Sequence, residues 1–182
     1  MLKVQTNICR NAVNIDGIWK FKTVDDNFLP TDALKDYRLM PVPASMNDVV
    51  TEYELREYVG KVAYETQFSC PIEKDREYRL RIGATSHKCR VYLNGSYIGG
   101  GDAAFLPIDL LLPELKEINR LTVVIDNRLD YHTLPSGRLV KGSDLYVYDR
   151  LGKYAVPGDV NVLPKEKQII NHDFYNYTGI HR

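Results

Sequence analysis

Four things are scarce in this sequence, and each shortage removes a class of protein. Net charge is absent: 24 basic residues balance 24 acidic ones. A neutral chain has no electrostatic case for nucleic acid or for an anionic membrane surface. Long apolar runs are absent too, since nothing approaches the roughly 20 residues that a membrane span needs. Cysteine is sparse. Cys9, Cys70 and Cys89 are odd in number and widely spaced, which suggests neither a disulfide framework nor a zinc site. The opening "MLKVQTNICR" has no apolar core of a leader peptide, so the expectation is a reducing, cytoplasmic home. On that expectation, the glycosylation-like triplets at Asn94 and Asn176 are chance matches.

Helix signals are the fourth shortage. "TDALKDYR" after Pro30 predicts a turn or two with Thr31 as cap, and "PELKEINR" one short turn. What dominates instead is a period of two. In "KVAYETQFS", Val62, Tyr64, Thr66 and Phe68 share one face while Lys61, Glu65 and Gln67 share the other, polar one. In "EYRLRIG", Tyr78, Leu80 and Ile82 point in and the charged residues point out. "KCRVYLNGSYIGG" alternates and then turns at Asn94-Gly95, the strongest short hairpin signal. Cys89 falls in step with Val91 and Leu93 there and reads as a small buried hydrophobe. "IWKFKTV" and "LTVVIDN" add strands. Many short amphipathic strands in 182 residues predict one all-β domain, a sandwich or barrel. Two long connections interrupt the rhythm, 40–60 and 135–168; in the second, "DLYVYD" and "KYAVPG" are able to pair as an extra hairpin.

Local chemistry is thin. His87, His132, His172 and His181 include no pair at metal-ligand spacing. There is no Gly-x-Ser-x-Gly elbow, and the glycines at 99–101 open no helix. A glycosidase needs two carboxylates held about 5–9 Å apart, and the sequence offers many acids without selecting a pair. The stretch "NHDFYNYTGIHR" (171–182) gathers aromatics, amides and two histidines around Asp173. That mixture suits a sugar, with hydroxyls on its rim and C–H groups on its faces; it equally suits a domain interface, and Asp173 taken alone reads as a turn cap.

A set of ordered motifs says more. "HDFYNYTGIHR" resembles a segment of the β-glucuronidases, members of family 2 of the glycoside hydrolases, which reads His-Asp-Phe-Phe-Asn-Tyr-x-Gly-Ile-His-Arg. "DGIWKF" (16–21) resembles their Asp-Gly-Leu-Trp-x-Phe, and "VPASMND" (42–48) their Val-Pro-Gly-Ser-Phe-Asn-Asp. "REYVGKVAYE" (56–65), "VYLNGSYIG" (91–99) and "NRLDYHTLPSG" (127–137) follow in the same order. Ala63 replaces a tryptophan of that pattern, Ala44 a glycine, and "AAFLPI" (103–108) stands for Gly-Gly-Tyr-x-Pro-Phe, which marks a divergent relative.

The resemblance implies an N-terminal sugar-binding domain of a retaining β-glucuronidase, a jelly-roll β-sandwich like the galactose-binding domains, with few short helical turns. It implies one domain over 1–182 that lacks its final strand, leaving a sheet edge open to pairing. The family's immunoglobulin-like and TIM-barrel domains, with both catalytic glutamates, would lie outside this chain, which by itself is expected to be inactive. No catalytic residue, cofactor or metal ligand is expected within it. Asp173 matches the aspartate that, in the family, reaches the active site and accepts a hydrogen bond from a sugar hydroxyl; His172, Phe174 and Asn176 are its expected support. The partners implied are a β-glucuronide or related glycoside, the other domains of the same polypeptide, and further copies in a homo-oligomer, with no nucleic acid and no membrane. A related β-galactosidase domain and a stand-alone carbohydrate-binding module are the alternatives.

Overall fold

The computed structural model describes residues 6–56, 58–102, 104–128, 146–148, 153–155 and 178–181. In chain order the elements are β1 (Gly17–Val24), β2 (Arg38–Val42), β3 (Ala44–Ser45), α1 (Met46–Val49), α2 (Tyr53–Arg56), β4 (Lys61–Phe68) and β5 (Arg79–Ile82). Then follow β6 (Thr85–Ser86), β7 (Lys88–Leu93), β8 (Ser96–Gly101), β9 (Ile108–Leu111), β10 (Asn119–Asp126), β11 (Tyr146–Tyr148), β12 (Lys153–Ala155) and β13 (Gly179–Ile180).

Six strands form one antiparallel sheet in the order β2-β1-β4-β10-β7-β8. The alternating residues do this work. Register pairs Phe21 with Tyr64, Tyr64 with Val123, and Val123 with Val91, so one row of apolar side chains crosses four strands. Trp19, Phe21, Val62, Tyr64, Leu121, Val123, Ile125, Cys89 and Val91 fill this face. Leu80 and Ile82 from β5, Ile108 from β9 and Ile180 from β13 belong to the same cluster, so the two small sheets, β5-β9 and β3-β13-β6, cover the large one. Burying each such side chain contributes roughly 1.5–3 kcal/mol. Phe21 and Tyr64 meet edge to face at 5.0 Å, an arrangement favoured by the ring quadrupoles. This is the all-β sandwich that the period of two predicts.

The β7–β8 hairpin closes as the dipeptide predicts. Asn94 and Gly95 have φ of 52° and 90°, the left-handed pair that lets a two-residue turn follow the strand twist. Gly100 has a different reason to be glycine: a Cβ there would sit 2.0 Å from the Cys89 carbonyl oxygen. Cys89 is buried, and burial pushes its thiol up to about 12. The hairpin expected in the long connection forms, β11 pairing antiparallel with β12.

Three expectations are corrected. Residues 31–37 of "TDALKDYR" are irregular loop, not helix, and Arg38 opens β2. The loop backbone is drawn out by the sheet: the Leu34 N–H donates to both Glu65 carboxylate oxygens, at 3.0 and 3.2 Å, and Arg120 donates to the Pro30 and Thr31 carbonyls. In "PELKEINR", residues 113–118 are loop and Asn119 and Arg120 open β10; Asn119 closes the loop, its Oδ1 accepting the Lys116 N–H and its Nδ2 donating back to the Lys116 carbonyl. The helical turns fall instead at α1 and α2, inside the 40–60 connection.

Glu65 is the third. It lies on the polar face of β4 but is 1% exposed. The 25–37 loop folds over that face, where Leu34, Ala63 and Val124 make a second, smaller core. Besides the Leu34 N–H, the carboxylate accepts from Thr122 Oγ1 at 3.2 Å and pairs with Lys20 and Arg120, each at 3.4 Å. A buried charge is tolerated because every lone pair finds a donor.

Candidate functional site

Asp173, His172, Phe174 and Asn176, the residues on which the expected sugar contact rests, lie outside the described residues. What is described is the anchor that follows them. Thr178, Gly179, Ile180 and His181 pass through the small sheet, with β13 between β3 and β6. Gly179 faces Ser45 on one side and Ser86 on the other; Ile180 faces Ala44 and Thr85. A Cβ on Gly179 would meet the Ala44 carbonyl oxygen at 2.2 Å, so the close approach of the two backbones requires glycine. Ile180 plugs into the main core.

Outside the ladder, Thr178 is held by two side chains and one backbone N–H. Its N–H donates to Asn47 Oδ1 at 3.1 Å, and its carbonyl accepts the Met46 N–H at 2.7 Å. Its hydroxyl oxygen accepts from Asn127 Nδ2 at 3.1 Å. Both asparagines are buried and tie in other elements. Asn47, in α1, donates through Nδ2 to the Arg56 carbonyl at the end of α2. Asn127, one residue past β10, accepts the Gly60 N–H and donates to the Tyr58 carbonyl, both at 2.8 Å. The 40–60 connection, the end of the central strand and the terminal strand therefore meet at two carboxamides. A carboxamide suits such a junction because it donates and accepts at once and carries no charge to bury.

Two further groups border this anchor. Arg128 is clamped by Asp126 and Asp26, and the Asp126 hydrogen bond above all raises its already high pKa. This fixes the chain where the 129–145 stretch begins. On the other side Phe105 sits between two histidines, 6.3 Å from the His87 ring and 6.0 Å from the His181 ring. Its backbone has φ of 61°, and its N–H donates to the Thr85 carbonyl at 2.9 Å. A bulky residue in the left-handed region is an outlier that packing has to sustain.

Among the described residues no group of three His, Cys, Asp or Glu side chains is placed to hold a metal ion, and no helix is long and apolar enough to cross a membrane. The site residues that sequence reasoning missed are Asn47, Asn127 and Thr178. Each stands in a motif quoted above, but an asparagine in a loop does not announce that it will be buried.

Comparison with known proteins gives a consistent answer. No family model matches the chain. The chain is 32% identical over 177 residues to a β-glucuronidase of Streptococcus agalactiae, covering 95% of this chain and 27% of that protein. It is 32% identical to one of Paenibacillus borealis, covering 100% of this chain and 30% of the other. Among solved structures, a β-glucuronidase from an uncultured Clostridium superposes with a TM-score of 0.73 at 33% identity, over 100% of this chain and 29% of that one. A β-glucuronidase of Faecalibacterium prausnitzii gives 0.72 at 30% identity, over 100% and 32%. The homologues are β-glucuronidases, and this chain spans less than a third of the length of each.

Proposed function

We propose that this chain is the N-terminal, sugar-binding jelly-roll domain of a retaining β-glucuronidase, and that Asp173 is its contribution to the glycoside site. The observation that carries the reading is the end-to-end match of this sandwich to β-glucuronidases at about the 30% identity level, within a small share of their length. The ordered motifs support it, and the relatives named above favour it over a β-galactosidase domain or a free-standing module.

On this reading the chemistry is divided between domains. Retaining hydrolysis uses two carboxyl groups about 5–5.5 Å apart. One attacks the anomeric carbon to form a glycosyl-enzyme while the other protonates the departing oxygen; water then releases the sugar, with the second group acting as base. Both groups belong to the barrel of the same polypeptide. Asp173 adds a carboxylate acceptor for a sugar hydroxyl, a charge-assisted bond of about 1.5–3 kcal/mol. It selects among sugars and does not break the bond. Three unpaired thiols suit the reducing cytoplasm expected for the enzyme.

The test is hydrolysis of p-nitrophenyl β-glucuronide. The complete polypeptide that carries this sequence should turn it over, and residues 1–182 alone should not. Turnover of β-galactosides but not β-glucuronides by the complete polypeptide would overturn the reading. So would millimolar sugar affinity of the isolated chain combined with an inactive parent.

A further inference from the structure

We propose that the outer face of β1 and β2 is a docking surface, and that its occupant is an apolar face of another part of the same polypeptide. The inference rests on the reading that this chain is one domain of a longer enzyme. It goes beyond that reading by assigning the surface that meets the remainder.

The face follows from the pleat. Trp19 and Phe21 of β1 and Met40 and Val42 of β2 point into the core, so the residues between them point out. Register sets Ile18 opposite Pro41 and Lys20 opposite Leu39. Lys20 Nζ lies over the Tyr37 ring at 4.7 Å, which puts Tyr37 at the end of the same row. A sheet face open to water carries polar side chains. This one carries Ile18, Pro41, Leu39 and Tyr37, of which Ile18 is 62% exposed, Leu39 66% and Tyr37 45%. The charged member of the set, Lys20, gives its amine to Glu65 at 3.4 Å. The same side of the sheet is covered further in, where Ala63 of β4 and Val124 of β10 pack under Leu34 of the 25–37 loop. That cover stops short of Ile18 and Leu39.

Three observations choose the occupant. The first is size. At about 200 Å² for a whole large side chain, these fractions leave roughly 350 Å² bare, as much as the apolar patches that mark functional surfaces. That is less than half of the roughly 800 Å² per partner that free proteins need for a stable interface. With an equal area opposite, it reaches the about 600–1,500 Å² of an interface between domains of one chain. The second is the edge. β2 ends the six-stranded sheet, where a second copy would add a strand. Pro41 within β2 and Pro43 just after it have no N–H to offer such a strand, and proline at an edge discourages the pairing. The third is length. The chain spans 27% of one β-glucuronidase it matches and 32% of another. A tethered neighbour of that bulk is present at effectively millimolar concentration, at which a face of this size is enough.

The experiment uses the complete polypeptide. Ile18→Cys and Leu39→Cys are labelled with a maleimide, and the modified peptides are quantified by mass spectrometry. Both changes shorten an exposed side chain, so the fold tolerates them. The reference is the labelling rate of the same residue in urea. Protection of fivefold or more is expected at both positions, unchanged when the protein is diluted a hundredfold. Less protection at either position would overturn the inference. Protection that falls on dilution would also overturn it, because the face would then belong to a second copy. A polypeptide that protects both positions yet hydrolyses no β-glucuronide would overturn the proposed function and leave this surface in place.

Discussion

Replacing Glu65 by alanine should strongly destabilise this domain. The carboxylate is 1% exposed and serves four groups. Losing it leaves the Leu34 N–H, held at 3.0 and 3.2 Å, without an acceptor. It takes the partner from Thr122 Oγ1, and it removes the counter-charge of Arg120, whose side chain is 14% exposed. Lys20 matters less: its side chain is 30% exposed and stays over the Tyr37 ring at 4.7 Å. Breaking a buried pair by removing one member costs about 3–5 kcal/mol. For a domain of this size each kcal/mol moves the melting temperature by about 2–4 °C, so the expected drop is on the order of 10 °C. Lys20→Ala, an edge contact screened by solvent, should cost under about 1 kcal/mol. The assay is thermal and urea unfolding followed by the fluorescence of Trp19, the single tryptophan and a member of the main core. A loss below about 1 kcal/mol for Glu65→Ala would refute the account of the second face. It would mean that the 25–37 loop is held by Leu34 and its apolar neighbours alone.

Two further predictions follow from the backbone and the thiols. Gly179→Ala sets a Cβ 2.2 Å from the Ala44 carbonyl oxygen; it should lower stability by about 2 kcal/mol or more and free the terminal strand to proteolysis, read by limited digestion and mass spectrometry. Thiol titration at pH 8 should count Cys9 and Cys70 in the native chain and Cys89 only after unfolding. Burial holds the Cys89 thiol neutral up to about 12, so its unfolded form is the one that ionises first as pH rises. Rapid native labelling of Cys89 would contradict the packing of β7 against β10.

The strands were the legible part, because period two is a direct consequence of the pleat. Val62, Tyr64, Leu80, Ile82, Cys89 and Val91 all face the core as their alternation predicts. Asn94-Gly95 was equally plain, since few dipeptides tolerate two positive φ values. Glu65 was misread because alternation tells which face a residue takes and not what later covers that face. Here a loop some thirty residues upstream does so. "TDALKDYR" has local helix propensity, but the Glu65 carboxylate competes for its N–H and wins. The short strands β3, β6 and β13 carry too few residues for any period to show, and their partners are far apart in sequence. The candidate site was legible only through resemblance: nothing about Asp173 in isolation separates a turn cap from a sugar contact. Asn47 and Asn127 stand inside two of the ordered motifs, and only their burial and hydrogen bonds reveal that they tie the terminal strand to the 40–60 connection.

On the proposed function, this sandwich lends a sugar-selecting carboxylate to a β-glucuronidase. The most direct test is Asp173→Asn in the complete polypeptide, with kcat/KM measured on p-nitrophenyl β-glucuronide and p-nitrophenyl β-galactoside. Loss of a charge-assisted bond of about 1.5–3 kcal/mol predicts a fall of roughly tenfold or more in the glucuronide value and a changed ratio between the two sugars. An unchanged ratio, with both values at the wild-type level, would contradict it.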